Sequence, residues 1–150
     1  MPDLNVESNP LLGTWKLKSY VVTAASGARS TPYGQSPRGY VHYAADGRMQ
    51  VIGAAGERRI PAGATATDDE RLALYDTLFA YAGTYTIGAG EVTHHVDLCW
   101  NEVWTGTDQV RRFEVRGKTL TLTMRVTDPE NRGETQYVAT WEKVAASGVT

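Results

Sequence analysis

Hydrophobic and polar residues alternate along most of this chain. In LLGTWKLKSY, Trp15, Leu17 and Ser19 fall on one side and Lys16, Lys18 and Tyr20 on the other, the period of two of a strand with one buried face. Residues 39–52 read as a hairpin, two short runs rich in β-branched and aromatic side chains around an Asp46-Gly47 turn. Beyond Gly83 the alternation predicts strands at 84–87, 91–100, 103–115, 119–126 and 135–144. Their connections, Gly88-Ala89-Gly90, Arg116-Gly117-Lys118 and the segment 128–133, carry turn chemistry.

One stretch follows a different period. Thr67-Asp68-Asp69-Glu70 has the form of a capping box, and Leu72, Tyr75, Leu78, Phe79 and Ala82 recur at helical spacing before Gly83. This predicts a helix over about 68–82 whose apolar stripe packs against the sheet or plugs one end. Residues 25–39 are rich in Ser, Gly and Pro; a lid over a barrel mouth and a plain surface connection both fit them. Residues 53–66 read as irregular, apart from a short edge strand near 58–60. Eight or nine strands at near-hairpin spacing with one helix predict a mainly β fold, an antiparallel up-and-down barrel. Closure removes the exposed edges that an open sheet would leave. The predicted domain covers 11–144, with tails at 1–10 and 145–150.

Composition narrows the function classes. The 150 residues carry 15 Lys and Arg against 17 Asp and Glu, a net charge of −2 with no long run of either sign. That leaves no basic face for nucleic acid and no polybasic membrane patch. The N-terminus has no basic and apolar leader pattern, no segment is apolar enough to span a bilayer, and Cys99 has no second cysteine to pair with. The expectation is a cytoplasmic protein without nucleic-acid or membrane partners, as a monomer or a homodimer.

Gly13-Thr14-Trp15 begins a succession of blocks: LLGTWKLKSY, PYGQSPRGYVHYAADGRM, AYAGTYTIGAGEVTHHVD, WTGTDQVRRFEV and TWEKV. From Leu11 to Val144 this order resembles the bacterial and fungal lipocalin-like domain family, small intracellular relatives of the calycins. The resemblance implies a lipocalin-like barrel with a central cavity for a small hydrophobic or amphipathic molecule. It implies that Trp15 closes the barrel base near Trp141 and Lys143. Glu102 stands where the family often has a proline, so the connection before Trp104 is not carried over. The family's functions are diverse, and fold does not set activity.

Candidate chemistry gathers in 83–115. On the strand 91–100, Val92, His94, Val96 and Leu98 share one face, and Thr93, His95, Asp97 and Cys99 the other. Taking the apolar set inward makes His94 a lone imidazole in a greasy cavity, a ligand contact or a general acid or base. The opposite register would bring His95, Asp97 and Cys99 inside. With Phe113 and Val115 inward, Gln109 and Arg111 follow, and Arg111 then needs an anionic ligand or a rim ion pair such as Glu114 or Glu142. Trp104 reads as an aromatic wall or a packing residue. Tyr43 and Met49 are candidate cavity lining, with Tyr33 near the mouth. Adjacent His94 and His95 project to opposite faces, so no metal site and no cofactor is predicted. The expected ligand contacts are Tyr43, Met49, His94, Trp104, Gln109, Arg111 and Phe113, around a small hydrophobic or aromatic metabolite. The alternative is a cofactor-independent isomerase, cyclase or lyase of natural-product or other small-molecule metabolism, with His94 moving a proton and Arg111 stabilising negative charge.

Overall fold

The computed structural model describes residues 9–128, 130 and 133–146, with only the backbone of Asp128. Most of both predicted tails, and positions 129 and 131–132 of the predicted 128–133 turn, lie outside the described residues. Among the described residues nine strands form: β1 (Gly13–Thr23), β2 (Arg29–Ser30), β3 (Arg38–Tyr43), β4 (Arg48–Ala54), β5 (Leu78–Ile87), β6 (Glu91–Cys99), β7 (Asp108–Arg116), β8 (Thr119–Asp128) and β9 (Gly133–Lys143). A helix, α1 (Asp68–Asp76), lies between β4 and β5.

Eight strands close into an antiparallel barrel in the order β1-β3-β4-β5-β6-β7-β8-β9, with β9 pairing back onto β1 from Trp15–Lys143 to Thr23–Gln136. The short β2 stands outside it. It covers the part of β1 beyond β3, pairing Val22 with Ser30 and Thr23 with Arg29, inside the Ser-, Gly- and Pro-rich segment 25–39. The Asp46-Gly47 turn joins β3 to β4: Gly47 takes a positive φ and the Asp46 carboxylate accepts from the Arg48 amide at 3.0 Å.

The predicted helix is half realised. Thr67 and Glu70 form the capping box, but α1 ends at Asp76. From Leu78 the chain is a strand between β4 and β6, with Phe79 opposite Gly53 and Tyr81 opposite both Val51 and Cys99. Two ladders of cross-strand pairs and the burial of every second aromatic outweigh the overlapping helical spacing. Gly83 therefore does not end a helix; it sits within β5. What remains of the apolar stripe is largely solvent-facing, with Leu72 61 % exposed and only Tyr75 reaching the barrel, against Trp100. The expected edge strand near 58–60 does not form, because Arg58 turns to the helix terminus and donates to the Leu74 carbonyl and Thr77 hydroxyl. Likewise the predicted strand 103–115 begins only at Asp108. Glu102–Trp104 is a 3₁₀ turn, capped by the Asn101 side chain and followed by Gly106 at positive φ.

Two bulges set which side chains enter the barrel. In β1, Leu17 pairs with Trp141 and Ser19 with Thr140, leaving Lys18 unpaired. In β6, Val96 pairs with Gly83 and Leu98 with Ala82, leaving Asp97 unpaired. Each extra residue inverts the alternation beyond it. Tyr20 accordingly joins the cavity wall, Cys99 is buried, and Leu98 is 66 % exposed. These reverse the faces that strict alternation assigns to all three. Gly83 makes the second bulge possible, since a Cβ there would overlap the His95 carbonyl oxygen.

One end of the barrel is filled. Leu11, Trp15, Tyr43, Met49, Val92 and Leu120 are fully or almost fully buried there. The Trp15 indole donates to the Leu11 carbonyl at 2.9 Å, and the Lys143 ammonium lies 4.7 Å from the centre of its ring. The rest of the interior is hollow. Among the described residues no helix is long and apolar enough to cross a membrane.

Candidate functional site

The hollow is a cavity of about 290 Å³, at the lower end of the roughly 300–1,000 Å³ range of small-molecule pockets. Its walls are mostly aromatic. Tyr20 of β1, Tyr33 of the 24–37 loop and Phe79 of β5 form one cluster, with Tyr33 5.1 Å from each of the other two rings. Trp100, Trp104 and Tyr81 form a second, with Trp104 6.5 Å from Trp100 and 5.8 Å from Tyr81. Met124, Tyr137 and Trp141 contribute from the last two strands.

His94 lies against this cavity, 1 % exposed, with both ring nitrogens engaged. The Tyr81 hydroxyl is 2.6 Å from Nδ1 and the Tyr43 hydroxyl 2.6 Å from Nε2. Burial, then the positive charge of Arg111, push its pKa down to about 3, so the imidazole is neutral at physiological pH. A neutral ring has one donor and one acceptor, so one tyrosine donates to it and the other accepts. Burial also pushes Tyr81 up to about 12, with Arg111 pulling the other way, and lifts Tyr43 well above the ordinary range. Both phenols therefore remain protonated.

Arg111 lies at the end of this chain. Its guanidinium is 5.8 Å from the centre of the Trp104 ring and donates to the Val110 carbonyl at 3.0 Å. The rim ion pair with Glu114 or Glu142 is not formed: Glu114 pairs with Arg116 and Glu142 with Lys18. Among the described residues no carboxylate pairs with Arg111.

Of the seven residues expected around the ligand, His94, Trp104 and Arg111 line the cavity. Tyr43 and Met49 fill the closed end, Tyr43 touching the site only through His94. Gln109 donates to the Thr107 hydroxyl at 2.9 Å, and Phe113 packs against the core; neither reaches the lining. His95 faces outward between Thr86 and Asp108, at 3.0 and 2.8 Å. This hydroxyl–imidazole–carboxylate row lies on the exposed wall outside the cavity. The alternation does not reveal Tyr20 and Trp100, which depend on the bulges. Tyr81 lies in Phe79-x-Tyr81-x-Gly83-x-Tyr85, a period-two aromatic pattern that the helical reading of 68–82 passes over.

Comparison with curated proteins and with solved structures gives no match. The family model described as a lipocalin-like domain matches residues 12–144, the whole of the barrel. The chain belongs to the lipocalin-like domain family.

Proposed function

We propose that this barrel is a binding protein for one small, mainly apolar and aromatic molecule. The observation that carries the reading is the unfilled interior itself. Native interiors pack as densely as organic crystals, and a void of this size lined by aromatic rings forfeits dispersion contacts that a planar ligand would restore. The polar end of the ligand would face Arg111 and Tyr81, with His94 fixing the Tyr81 hydroxyl from behind. Gln109 has no part in this arrangement, being turned to Thr107.

A second reading, a cofactor-independent isomerase, cyclase or lyase, draws support from the hydrogen-bonded row Tyr81–His94–Tyr43. There His94 would act only by passing a proton through Tyr81, since both of its nitrogens are occupied. Its low proton affinity makes it a weak base, which favours the binding reading.

Trp100, Trp104 and Trp141 all line the cavity, so intrinsic fluorescence reports its occupancy. Titration with naphthalene and other small aromatic probes is expected to quench or shift the emission saturably. Ala139→Leu, which adds bulk to the cavity wall, is expected to abolish the response in a protein that still folds by circular dichroism. An unresponsive wild type, or a response indifferent to the filled cavity, would remove the reading.

A further inference from the structure

We propose that the ligand carries an oxyanion, a carboxylate or phenolate on its aromatic body, and that Arg111 receives it with Trp100 as supporting donor. This rests on the reading of the cavity as a ligand site and names the chemistry that fits it.

Apart from the tyrosine hydroxyls, which both donate and accept, the polar side chains facing the cavity with free capacity are donors. A guanidinium offers five N–H groups, and beyond the Val110 carbonyl and the Tyr81 hydroxyl Arg111 has donors to spare. The indole N–H groups of Trp100 and Trp141 are buried with no partner, and both residues line the cavity. Trp15, outside it, has its N–H satisfied by Leu11. Indole nitrogen donates only, and a stranded buried donor gives up the bonds it made to water without replacing them, so two beside one hollow need an explanation. His94 offers no free acceptor, because both nitrogens are taken. The nearest acids are engaged on the outer wall: Asp97 with Arg48, Asp108 with His95, and Glu114 with Arg116.

A ligand that is cationic or rich in donors would add to this surplus. An oxyanion accepts only, and cancels it. The placement agrees, since Arg111 stacks on Trp104 and Trp104 stands edge-on to Trp100 at 6.5 Å. The charge and one unpaired indole therefore flank a single aromatic wall. Trp141, on β9 in the same lining, is left for a second acceptor oxygen on the ligand. The tyrosines do not compete as anions: burial keeps Tyr20 and Tyr81 protonated.

The test is calorimetric titration of the intact protein at a mildly alkaline pH with matched probes: 2-naphthoate against 2-naphthamide, 4-nitrophenolate against 4-nitroanisole, and naphthalene as the bare body. An anion's charge-assisted bonds are expected to tighten binding about 10- to 100-fold over the neutral match. Arg111→Met should bring each anion to the level of its neutral match, with Arg111→Lys recovering part of the preference. In ¹⁵N-labelled protein, the indole resonance of Trp100 should move on adding 2-naphthoate and move less with naphthalene. The stronger of the two anion preferences tells carboxylate from phenolate. Equal binding of anions and neutral matches, or an anion preference that survives Arg111→Met, overturns the oxyanion while the cavity reading stands. Failure of every probe to bind overturns both.

Discussion

The Tyr43 hydroxyl lies 2.6 Å from His94 Nε2, inside the filled end of the barrel, so the imidazole is held from behind as well as from the cavity side. Burial, and then the positive charge of Arg111, keep the ring neutral, with a consequence for stability against pH. Above the ordinary value of 6.5 neither folded nor unfolded chain protonates His94. Below it the unfolded chain takes up a proton that the folded chain refuses down to about 3, so acid favours unfolding through this window. The slope approaches about 1.4 kcal/mol per pH unit. Urea midpoints between about pH 7 and about pH 5 should fall more steeply for the wild type than for His94→Gln, over a range above most carboxylate titration. Parallel curves would mean that the ring is not the source.

The two tyrosines on His94 should separate in their effects. Tyr43→Phe strands the inner nitrogen and is expected to cost about 1–3 kcal/mol, with little change in ligand affinity because Tyr43 lies outside the cavity. Tyr81→Phe strands the other nitrogen at a similar cost and also alters the cavity wall. Denaturation and probe titration on both variants would check this. Equal losses of binding would contradict the separation.

Gly83 and Cys99 are linked through the bulge at Asp97. Placing a methyl group at Gly83 drives it into the His95 backbone, which has no means to yield except by giving up the bulge. Gly83→Ala is expected to destabilise by about 3 kcal/mol, at the upper end of overpacking costs because the obstacle is main chain. The strand beyond the bulge should then lose its inward phase, exposing the Cys99 thiol, which is 6 % exposed in the native barrel. Faster reaction of Cys99 with a thiol reagent, at an unchanged rate in a Thr67→Ala control, would locate the damage at the bulge.

The same two bulges mark the limit of what the sequence discloses. The strands beyond Gly83, the Asp46-Gly47 hairpin, the capping box and the inward side of His94 all follow from local pattern, and the structure has each of them. A bulge is a relation between two strands, and Lys18 and Asp97 are ordinary residues for an outward strand position. Nothing near them announces that Tyr20, Leu98 and Cys99 change sides. Leu78 to Ala82 poses a different difficulty, since its apolar residues satisfy both periods and only pairing with β4 and β6 decides between them. Arg111 was legible as an inward charge, with an anionic ligand and a rim ion pair both open. The neighbouring indoles without partners were not, because that depends on packing.

Gly53 and Phe79 supply a contrast with Gly83 and a test of the cavity that does not touch its polar groups. They are cross-strand partners, and the Phe79 ring lies over Gly53 where a Cβ would stand. Here the obstacle is the tip of a side chain, and the ring borders empty volume. Gly53→Val should therefore swing Phe79 into the cavity at a modest cost of about 1 kcal/mol, below that of Gly83→Ala. Phe79 leans on Tyr33 and Tyr20, so the displaced ring narrows the space between the two aromatic clusters. Binding of naphthalene should weaken at least about tenfold, equivalent to about 1.4 kcal/mol, with Arg111 and His94 unaltered. Unfolding and titration of the same variant check both halves. Unchanged affinity would show that this end of the cavity is not where the aromatic body sits, and a stability loss as large as that of Gly83→Ala would show that Phe79 has no room to move.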